Sequence, residues 1–285
     1  MRYAEPTELA EATALIADPE SGAHLVAGGT ALVPLLKLGY VQPALLVGMR
    51  RLPGLRGIEV RDGVLVIGSL ATHAEVSDSA LVRAGWPLLA SACAAVGTIR
   101  IRNQGTLGGN VVHADPNQDP PPALLVLGAS ARIAGTGGER VVPLRDLFVD
   151  IFETVLEPGE ILLELRVPPV PVGCRTAYHK FLPRSQDDYA TVSVAGLVHM
   201  DGDRRVTDAR VGVAGAGTRP ILAPAVGAAL VGEVPTARGI AAAAAAVDDV
   251  IDPISDARGS AAYKRAMARV WVERTLGELC DVAIA

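Results

Sequence analysis

The sequence predicts an α+β protein of three units: two α/β units, and a C-terminal unit in which helices accompany a sheet. Short apolar strand patterns alternate with helical patterns up to about residue 170, whereas longer apolar strands followed by helices occupy the rest of the chain. A proline-rich stretch over 168–171 separates these two regions and is the strongest boundary signal. We therefore predict units over 1–56, 57–170 and 174–285.

The first unit is predicted from two alternations of helix and strand. Apolar residues at helical spacing over 9–16 follow Thr7, which we predict to cap that helix. A short strand over 24–27, a helix over 32–38 and a buried strand over 44–47 complete the unit.

The second unit begins with a strand over 64–68 that follows a turn at 61–63. A helix is predicted to start at 77–78 and to continue past Pro87 to residue 96. Asp119 precedes three prolines, a combination that is typical of a helix start, so we predict Asp119 as the N-cap of a helix over 123–127. Strands over 131–134 and 161–167 close the unit.

The third unit contains three predicted strands, over 178–181, 191–200 and 209–214. Two helices follow, over 236–247 and 260–279. The last helix is amphipathic, and its apolar face is predicted to consist of Tyr263, Met267, Val270, Trp271 and Leu276.

Composition excludes several classes of protein. The chain has 285 residues, of which 50% are hydrophobic and 4% aromatic, and its net charge is −5 without any basic run, so nucleic acid is not an expected partner. The three cysteines, Cys93, Cys174 and Cys280, form no C-x-x-C pair, so neither a metal site nor an iron–sulphur cluster has a local ligand set. The N-terminus lacks an apolar signal core, and the uncharged run over 220–232 is too short to span a bilayer, which predicts a cytoplasmic protein.

Two glycine doublets are the most informative motifs. The first lies in Ala27-Gly28-Gly29-Thr30, and the second follows about eighty residues later. Glycine permits positive φ and lets main-chain N–H groups approach a ligand, and successive N–H groups form an anion-binding concavity. Each doublet is also accompanied by a hydroxyl or amide side chain that could bind phosphate or ribose. The two doublets therefore predict that the chain binds one diphosphate from two sides, which indicates a dinucleotide cofactor. The residues of the second doublet motif are Thr106, Leu107, Gly108, Gly109 and Asn110.

Two better-known phosphate motifs are absent. Neither doublet ends in the Lys-Ser/Thr of a P-loop, so the sequence does not support nucleoside triphosphate hydrolysis. Gly215-Ala216-Gly217 is followed by Pro220 where a Rossmann fingerprint needs its third glycine, so a nicotinamide site there is not expected.

Several residues near the second doublet allow two interpretations. Each doublet alone also fits a plain structural turn. His113 could titrate near neutrality or be an ordinary polar loop residue, and Arg100 and Arg102 could balance phosphate charge or simply be solvated. The segment from Lys180 to Tyr189 fits either a salt-bridge cluster or an aromatic ring that covers a flat cofactor.

Together these stretches resemble the FAD-binding medium subunit of molybdenum hydroxylases, a family that includes flavoprotein subunits of carbon monoxide dehydrogenases and the flavin domain of xanthine dehydrogenases. The resemblance covers nearly the whole chain. It is carried by the first doublet, by the stretch 98–110 continued through Asp115 and Asp119, and by a Lys-x-x-x-Arg-x-x-x-Asp-aromatic pattern. The segments 252–258 and 263–265 are similar to the family's C-terminal region. The residues of the Lys-Arg-Asp-aromatic pattern are Lys180, Arg184, Asp188 and Tyr189.

The resemblance implies a vanillyl-alcohol-oxidase-like (PCMH-type) FAD-binding fold of two α/β subdomains, followed by a domain with a three-stranded sheet and helices. It implies that the doublet residues hold the FAD diphosphate, that a second group lies near the rest of the cofactor, and that Tyr189 lies against the isoalloxazine. Ala31 departs from the polar or acidic residue of many relatives. The doublet residues are Ala27, Gly28, Gly29, Thr30, Thr106, Gly108, Gly109 and Asn110; the second group is Val112, Asp119, Leu162 and Lys180.

The resemblance further implies an electron-transfer flavoprotein subunit with no acid–base or nucleophilic catalytic residue and no metal site of its own. A [2Fe–2S] small subunit would supply electrons from a molybdopterin-binding large subunit, and FAD would pass them to an external acceptor such as NAD, a quinone or oxygen. Two alternatives remain: a stand-alone FAD-dependent oxidoreductase acting on a small substrate, and a flavin-free nucleotide-binding assembly module. In such a complex, the resemblance implies that substrate recognition belongs to a different subunit.

Overall fold

The first unit contains a three-stranded parallel sheet. The computed structural model describes residues 1–183, 185 and 187–284, so Arg184 of the predicted motif lies outside the described residues. The sheet has the spatial order β1-β3-β2, and its central strand is buried, because helical crossovers cover parallel strands. Its elements are β1 (Arg2–Ala4), α1 (Leu9–Leu15), β2 (Ala23–Val26), α2 (Leu32–Lys37) and β3 (Leu45–Gly48), with a 3₁₀ turn at Pro19–Ser21.

The elements predicted for the first unit are confirmed with small shifts, but the predicted cap is wrong. Helix α1 begins after Glu8 rather than after Thr7, and no side chain caps it.

The second unit is organised around a five-stranded antiparallel sheet of order β4-β5-β10-β6-β7. The strands predicted at 64–68 and 161–167 have the predicted bounds. The strands are β4 (Ile58–Arg61), β5 (Val64–Gly68), β6 (Ser130–Gly135), β7 (Gly138–Pro143), the hairpin β8 (Phe148–Asp150) and β9 (Glu153–Thr154), and β10 (Ile161–Val167). The helices are α3 (His73–Asp78), α4 (Ala80–Gly85), α5 (Pro87–Ala94), α6 (Ile99–Gln104), α7 (Leu107–His113) and α8 (Pro120–Val126), with a 3₁₀ turn at Leu144–Asp146.

The single helix predicted from 77–78 to 96 is wrong, because three short helices occupy this region. Thr72 and Glu75 form a capping box that begins α3 before the predicted start. Ser79 then caps α4 through its side-chain oxygen, and Pro87 occupies the first turn of α5. Each new helix therefore begins where the preceding helix ends, and one long helix does not form.

The third unit is a four-stranded antiparallel sheet with helices. It contains the three predicted strands and a short fourth strand, so the expected three-stranded sheet is extended by one. Its elements are β11 (Arg175–Phe181), β12 (Val192–Met200), β13 (Val206–Ala214), β14 (Ile221–Leu222), α9 (Pro224–Ala228), α10 (Ala237–Ala245), a 3₁₀ turn at Ala246–Asp249, and α11 (Ala261–Cys280).

The predicted face of the last helix is wrong in most of its members. Tyr263 is exposed, Met267, Val270 and Trp271 are half-buried, and only Leu276 of the predicted set is buried. The buried face of α11 is instead formed by small and mixed side chains at helical spacing, because the helix lies close to β12. That face includes Lys264, Ala268, Val272, Thr275 and Leu279.

Strand β12 is buried on both faces and joins two hydrophobic cores. Ala195 and Leu197 belong to the core of the second unit, whereas Val194 and Val198 belong to the core beneath α11. A Cβ added at Gly196 would lie 2.7 Å from Leu279 of α11. The sheet thus lies between α8 and α11, which explains the continuous apolar run of β12.

Candidate cofactor-binding site

The two glycine doublets lie against each other. The first follows β2, and the second opens α7. The side-chain amide of Gln104 donates to the carbonyl oxygen of Gly28 over 2.9 Å. A Cβ added at Gly28 would collide with the Gln104 carbonyl oxygen and lie 3.0 Å from the Cα of Gly105. Glycine at position 28 therefore allows the two loops to touch.

The first doublet offers a row of unused main-chain donors. Gly29 has a φ of 72°, which turns the chain before α2. Within the described residues, the N–H groups of Gly28, Gly29, Thr30 and Ala31 donate to no acceptor. Four consecutive N–H groups at a turn that precedes a helix form a concavity suited to an anion. Since these donors belong to the main chain, the departure at Ala31 does not remove them.

The second doublet does not share this geometry, which corrects the expectation of positive φ at both doublets. Gly108 and Gly109 are helical. The N–H of Gly108 donates to the carbonyl of Ser69 over 3.0 Å, and that of Gly109 donates to the Thr106 hydroxyl oxygen over 3.1 Å. These donors are therefore already used. The second loop can bind a ligand chiefly through side chains such as Asn110.

Close packing explains why glycines are required in the second doublet. A Cβ at Gly108 would lie 2.5 Å from the Cβ of Ser69, and one at Gly109 would lie 2.7 Å from the Thr106 hydroxyl oxygen. Gly108 lets α7 approach the segment that follows β5, and Gly109 leaves room for the capping hydroxyl of Thr106. A larger residue at Gly109 is thus expected to disturb the Thr106 cap rather than to meet backbone strain.

Buried polar atoms without partners lie beside the doublets. Among the described residues, Ser69 Oγ, His73 Nδ1 and Asn110 Oδ1 have no hydrogen-bond partner. A buried polar atom without a partner is costly, so such a group commonly serves a bound ligand or water. These three atoms therefore mark the second loop and its neighbours as candidate ligand-binding groups.

His73 is a candidate site residue that the sequence interpretation missed. A Cβ at Gly105 would lie 3.3 Å from His73 Cδ2 and 3.2 Å from the Thr30 hydroxyl oxygen, so His73 lies at the junction of the loops. Burial, followed by the charge of Arg102, lowers the pKa of His73 to about 4. The imidazole is therefore neutral at physiological pH. The capping box that begins at Thr72 was the available signal, because it places His73 at the start of a helix.

Asp119 and Lys180 form a buried ion pair between the second and third units. Lys180 Nζ lies 2.9 Å from Asp119 Oδ2 and also donates to the carbonyl of Ala95 over 2.9 Å. The Tyr178 hydroxyl donates to the other Asp119 oxygen over 2.6 Å. Asp119 is the N-cap residue of α8, as predicted, but its side chain makes no capping hydrogen bond because it is committed to these partners.

The pKa of Asp119 reflects two opposed effects. Burial raises it from its ordinary value to about 6, whereas the Lys180 ammonium and the Tyr178 hydroxyl act in the opposite direction. Asp119 is thus ionised at neutral pH, and the ion pair is intact. Burial, together with the Asp119 charge, raises the pKa of Tyr178, so its hydroxyl remains a donor.

The remaining predicted residues lie in different surroundings. Ala27 lies at the first loop, and Val112 is half-buried on α7 against the main core. The side chain of Leu162 is buried in that core, so only its main chain is available to a ligand. Tyr189 is 39% exposed, and burial together with the charges of Asp115 and Asp119 raises its pKa.

The chain just after Tyr189 lies near the segment that connects α7 to α8. A Cβ added at Gly215 would lie 2.7 Å from the carbonyl oxygen of Thr191, and Gly215 donates its N–H to the carbonyl of Pro116 over 2.8 Å. The structure accordingly brings together three groups: the first loop, the second loop with α7, and the Asp115–Asp119 segment with Tyr189. This set contains the unused N–H groups of the first loop and the partly exposed aromatic ring of Tyr189. A diphosphate with a flat ring system attached matches both features, because N–H groups bind phosphate and an aromatic ring stacks on a flat one.

This arrangement is typical of a protein that binds a nucleotide cofactor. Comparisons with known proteins identify it further. Residues 1–170 match the FAD-binding domain in molybdopterin dehydrogenase, and residues 177–279 match the carbon monoxide dehydrogenase flavoprotein C-terminal domain. The chain therefore belongs to the family of FAD-binding medium subunits of molybdopterin-containing dehydrogenases, and FAD is its cofactor.

Relatives cover nearly the full length of the chain. It is 36% identical to the 6-hydroxypseudooxynicotine dehydrogenase complex subunit alpha of Paenarthrobacter nicotinovorans, over 97% of this chain and 93% of that protein. Identity to the carbon monoxide dehydrogenase medium chain of Hydrogenophaga pseudoflava is 34%, over 96% and 95%. The carbon monoxide dehydrogenase structure from the latter organism superposes with a TM-score of 0.94 at 35% identity, covering 98% of this chain and 96% of the other.

A solved structure of a protein named for another substrate has the same fold. Quinoline 2-oxidoreductase from Pseudomonas putida 86 superposes with a TM-score of 0.91 at 30% identity, covering 99% of this chain and 97% of the other. These likenesses confirm the predicted family and the fold class. The chain is an oxidoreductase subunit of the medium, FAD-binding type. In the part of the chain that the structure describes, no helix has the length and apolar character needed to cross a membrane.

Proposed function

We propose that this chain is an electron-transfer subunit that receives electrons from a [2Fe–2S] partner subunit and passes them through FAD to an external acceptor. The observation that most directly supports FAD binding in this role is the row of unused N–H groups at 28–31, which is bounded on one side by Gln104, just before the second doublet. FAD supplies the redox chemistry when it is bound, and the protein supplies binding, orientation and the local electrostatic environment.

We assign the diphosphate to the first loop. Four main-chain N–H groups there would compensate its charge without any cationic side chain. On the second loop, the Thr106 hydroxyl already accepts from Gly109, so it can still donate its own proton to the cofactor. Asn110, whose Oδ1 lacks a partner in the described residues, would bind a donor on the ribose.

The Asp119–Lys180 pair would act near the rest of the cofactor. It fixes β11 against the α7–α8 segment, and its opposite charges cancel within the buried site. We place Tyr189 over the isoalloxazine, where its partly exposed ring would limit access of solvent. Val112 and the main chain of Leu162 would complete the surroundings.

The proposed partners follow from the class of protein. Several relatives are named as the medium chain or as one subunit of a dehydrogenase complex. We propose a [2Fe–2S] small subunit and a molybdopterin-binding large subunit as partners, with NAD, a quinone or oxygen as the acceptor. The units predicted at 1–56 and 57–170 would enclose FAD, and the unit at 174–285 would contribute Lys180 and Tyr189.

FAD affinity of the isolated chain tests the site. Replacing Gly28 with alanine would place a Cβ against the Gln104 carbonyl and separate the loops, so we expect at least about tenfold weaker binding, or a loss of about 1.4 kcal/mol. The matched control is Gly137→Ala, where a Cβ meets nothing within 4 Å. Equal affinity of both variants would contradict the assigned site.

A second measurement separates the proposed electron transfer from the alternatives. The FAD-loaded chain is expected to oxidise no small substrate by itself, and its flavin is expected to be reduced by substrate only when the two partner subunits are present. Substrate turnover by the isolated chain would favour a stand-alone oxidoreductase. Absence of any FAD binding would favour an assembly module.

A further inference from the structure

We propose that Arg258 is a positioning residue that holds the ring of Tyr189 in place for its contact with the flavin. This inference rests on the proposed function, because it assumes that Tyr189 faces FAD. It concerns a residue of the loop between α10 and α11 that the sequence interpretation did not connect with the cofactor.

The guanidinium of Arg258 lies over the face of the Tyr189 ring. Its Cζ atom is 5.4 Å from the ring centroid, which is within the range of a cation–π contact. Nη2 is 3.2 Å from Asp188 Oδ1, and Nη1 is 3.8 Å from Asp256 Oδ2. Arg258 Nε has no hydrogen-bond partner among the described residues. The ring and two carboxylates therefore hold the guanidinium.

Asp188 contacts both the backbone of Tyr189 and the side chain of Arg258. Its carboxylate accepts a hydrogen bond from the backbone N–H of Tyr189 over 2.7 Å as well as pairing with Arg258. The Tyr189 N–H and the Arg258 guanidinium lower the pKa of Asp188, although burial acts in the opposite direction. One carboxylate thus connects the backbone of Tyr189 to the cation that covers its ring.

Asp256 anchors Arg258 to the C-terminal unit. Lys264 in α11 is only 3% exposed, and its ammonium lies 2.8 Å from Asp256 Oδ2. The other Asp256 oxygen accepts from the backbone N–H of Arg258 over 2.8 Å. Reciprocal main-chain hydrogen bonds between Asp256 and Gly259 close this turn. Arg258 is therefore held by Asp256, which the buried Lys264 anchors in turn.

This geometry assigns the two faces of the Tyr189 ring to different partners. Arg258 covers one face, and Tyr189 remains 39% exposed, so the proposal assigns the opposite face to a flat ligand. A ring that is already held loses less conformational freedom when FAD binds, so its contact with FAD contributes more to the binding free energy. Arg258 acts through Tyr189 and does not itself need to touch FAD.

The test uses the fluorescence of bound FAD, which a stacked tyrosine quenches. Tyr189→Leu sets the unstacked reference level. Arg258→Gln is expected to raise the fluorescence toward that level and to weaken FAD binding about fivefold, the size expected for one partly exposed cation–π contact. Arg258→Lys keeps the charge without the planar group, so an intermediate value is expected. Arg210→Gln, at an exposed pair with Asp208, is the control and should match the wild type.

A double-variant cycle separates positioning from a general structural effect. If Arg258 acts through the ring, adding Arg258→Gln to Tyr189→Leu changes neither fluorescence nor affinity further. Equal effects in both backgrounds would overturn the inference, as would unchanged fluorescence in the Arg258→Gln single variant. Should Arg258→Gln fail to fold, Arg258→Lys carries the same comparison. A wild-type chain that binds no FAD would overturn the proposed function and this inference together, whereas quantitative FAD binding with no Arg258 effect would overturn this inference alone.

Discussion

Replacing Lys180 with methionine is expected to destabilise the protein in a pH-dependent manner. The substitution removes the ammonium that lies 2.9 Å from Asp119, and leaves that buried carboxyl with the Tyr178 hydroxyl as its remaining partner. Removing one member of a buried ion pair typically costs about 3–5 kcal/mol, because the other charge is left uncompensated. Asp119 can avoid part of that cost by taking up a proton.

The pH-dependent part can be calculated from the pKa of Asp119. This value is about 6 in the folded protein, above the ordinary 3.8, so the contribution of Asp119 to stability is complete below pH 3.8 and is lost as the pH rises through 6. Without Lys180 the pKa of Asp119 rises further, so the loss of its contribution to stability continues to higher pH. Between pH 6 and 7.5 the variant therefore falls behind the wild type by up to about 2 kcal/mol, at about 1.4 kcal/mol per pH unit.

Thermal unfolding of the apoprotein at pH 5.0 and 7.5 measures this difference. Trp86 packs in the core of the second unit and Trp271 against that beneath α11, so tryptophan fluorescence reports on both. We expect the Tm deficit of Lys180→Met to be larger at pH 7.5 than at pH 5.0 by about 4–8 °C. Arg210→Met, which breaks an exposed pair, should cost less than about 1 kcal/mol at either pH. An equal deficit at both pH values would refute the assigned ionisation of Asp119.

Three further predictions concern the site and the packing around it. Thr106→Val removes the N-cap of α7 and should lower the free energy of unfolding by about 1 kcal/mol in denaturant titrations. Thr106→Ser retains the cap and is the control. A valine variant with the unfolding free energy of the wild type would contradict this. The ring signals of His73 should not titrate between pH 5.5 and 8 by NMR, because its folded-state pKa is about 4; a midpoint near 6.5 would show an accessible imidazole. Gly212→Ala places a Cβ 2.6 Å from the carbonyl oxygen of Pro122 and should lower the free energy of unfolding by about 1–3 kcal/mol. The control is Gly137→Ala, where the added Cβ meets nothing within 4 Å. Equal denaturant midpoints for the two variants would refute the packing argument.

Local patterns predicted the strands more reliably than the helix starts. The apolar runs at 64–68 and 161–167 gave correct bounds because each is a buried strand bordered by clear turns. The helix predicted over 77–96 failed because hydrophobic periodicity continues through three separate helices. Their starts are set by single side chains, such as Ser79, whose capping bonds periodicity does not reveal.

The glycine doublets show what a motif can and cannot predict. The pattern correctly indicated that both loops meet, but it could not distinguish a turn that needs positive φ, as at Gly29, from a helix that needs close packing, as at Gly108. The second requirement comes from Ser69, a residue distant in sequence. Asp119 likewise had the sequence context of a cap, and only the tertiary fold brought it to Lys180 and Tyr178.

Strand β12, which is buried on both faces, has a consequence for how the chain can be divided. The two family matches meet near residue 170, which suggests a place to cut the gene. Yet Ala195 and Leu197 complete the core of the second unit from beyond that point. A fragment ending at residue 170 would expose the apolar surface of α8 and is expected to aggregate. Two family models thus match two parts of a chain whose second-unit core draws on both parts, and fusion or truncation experiments should retain both.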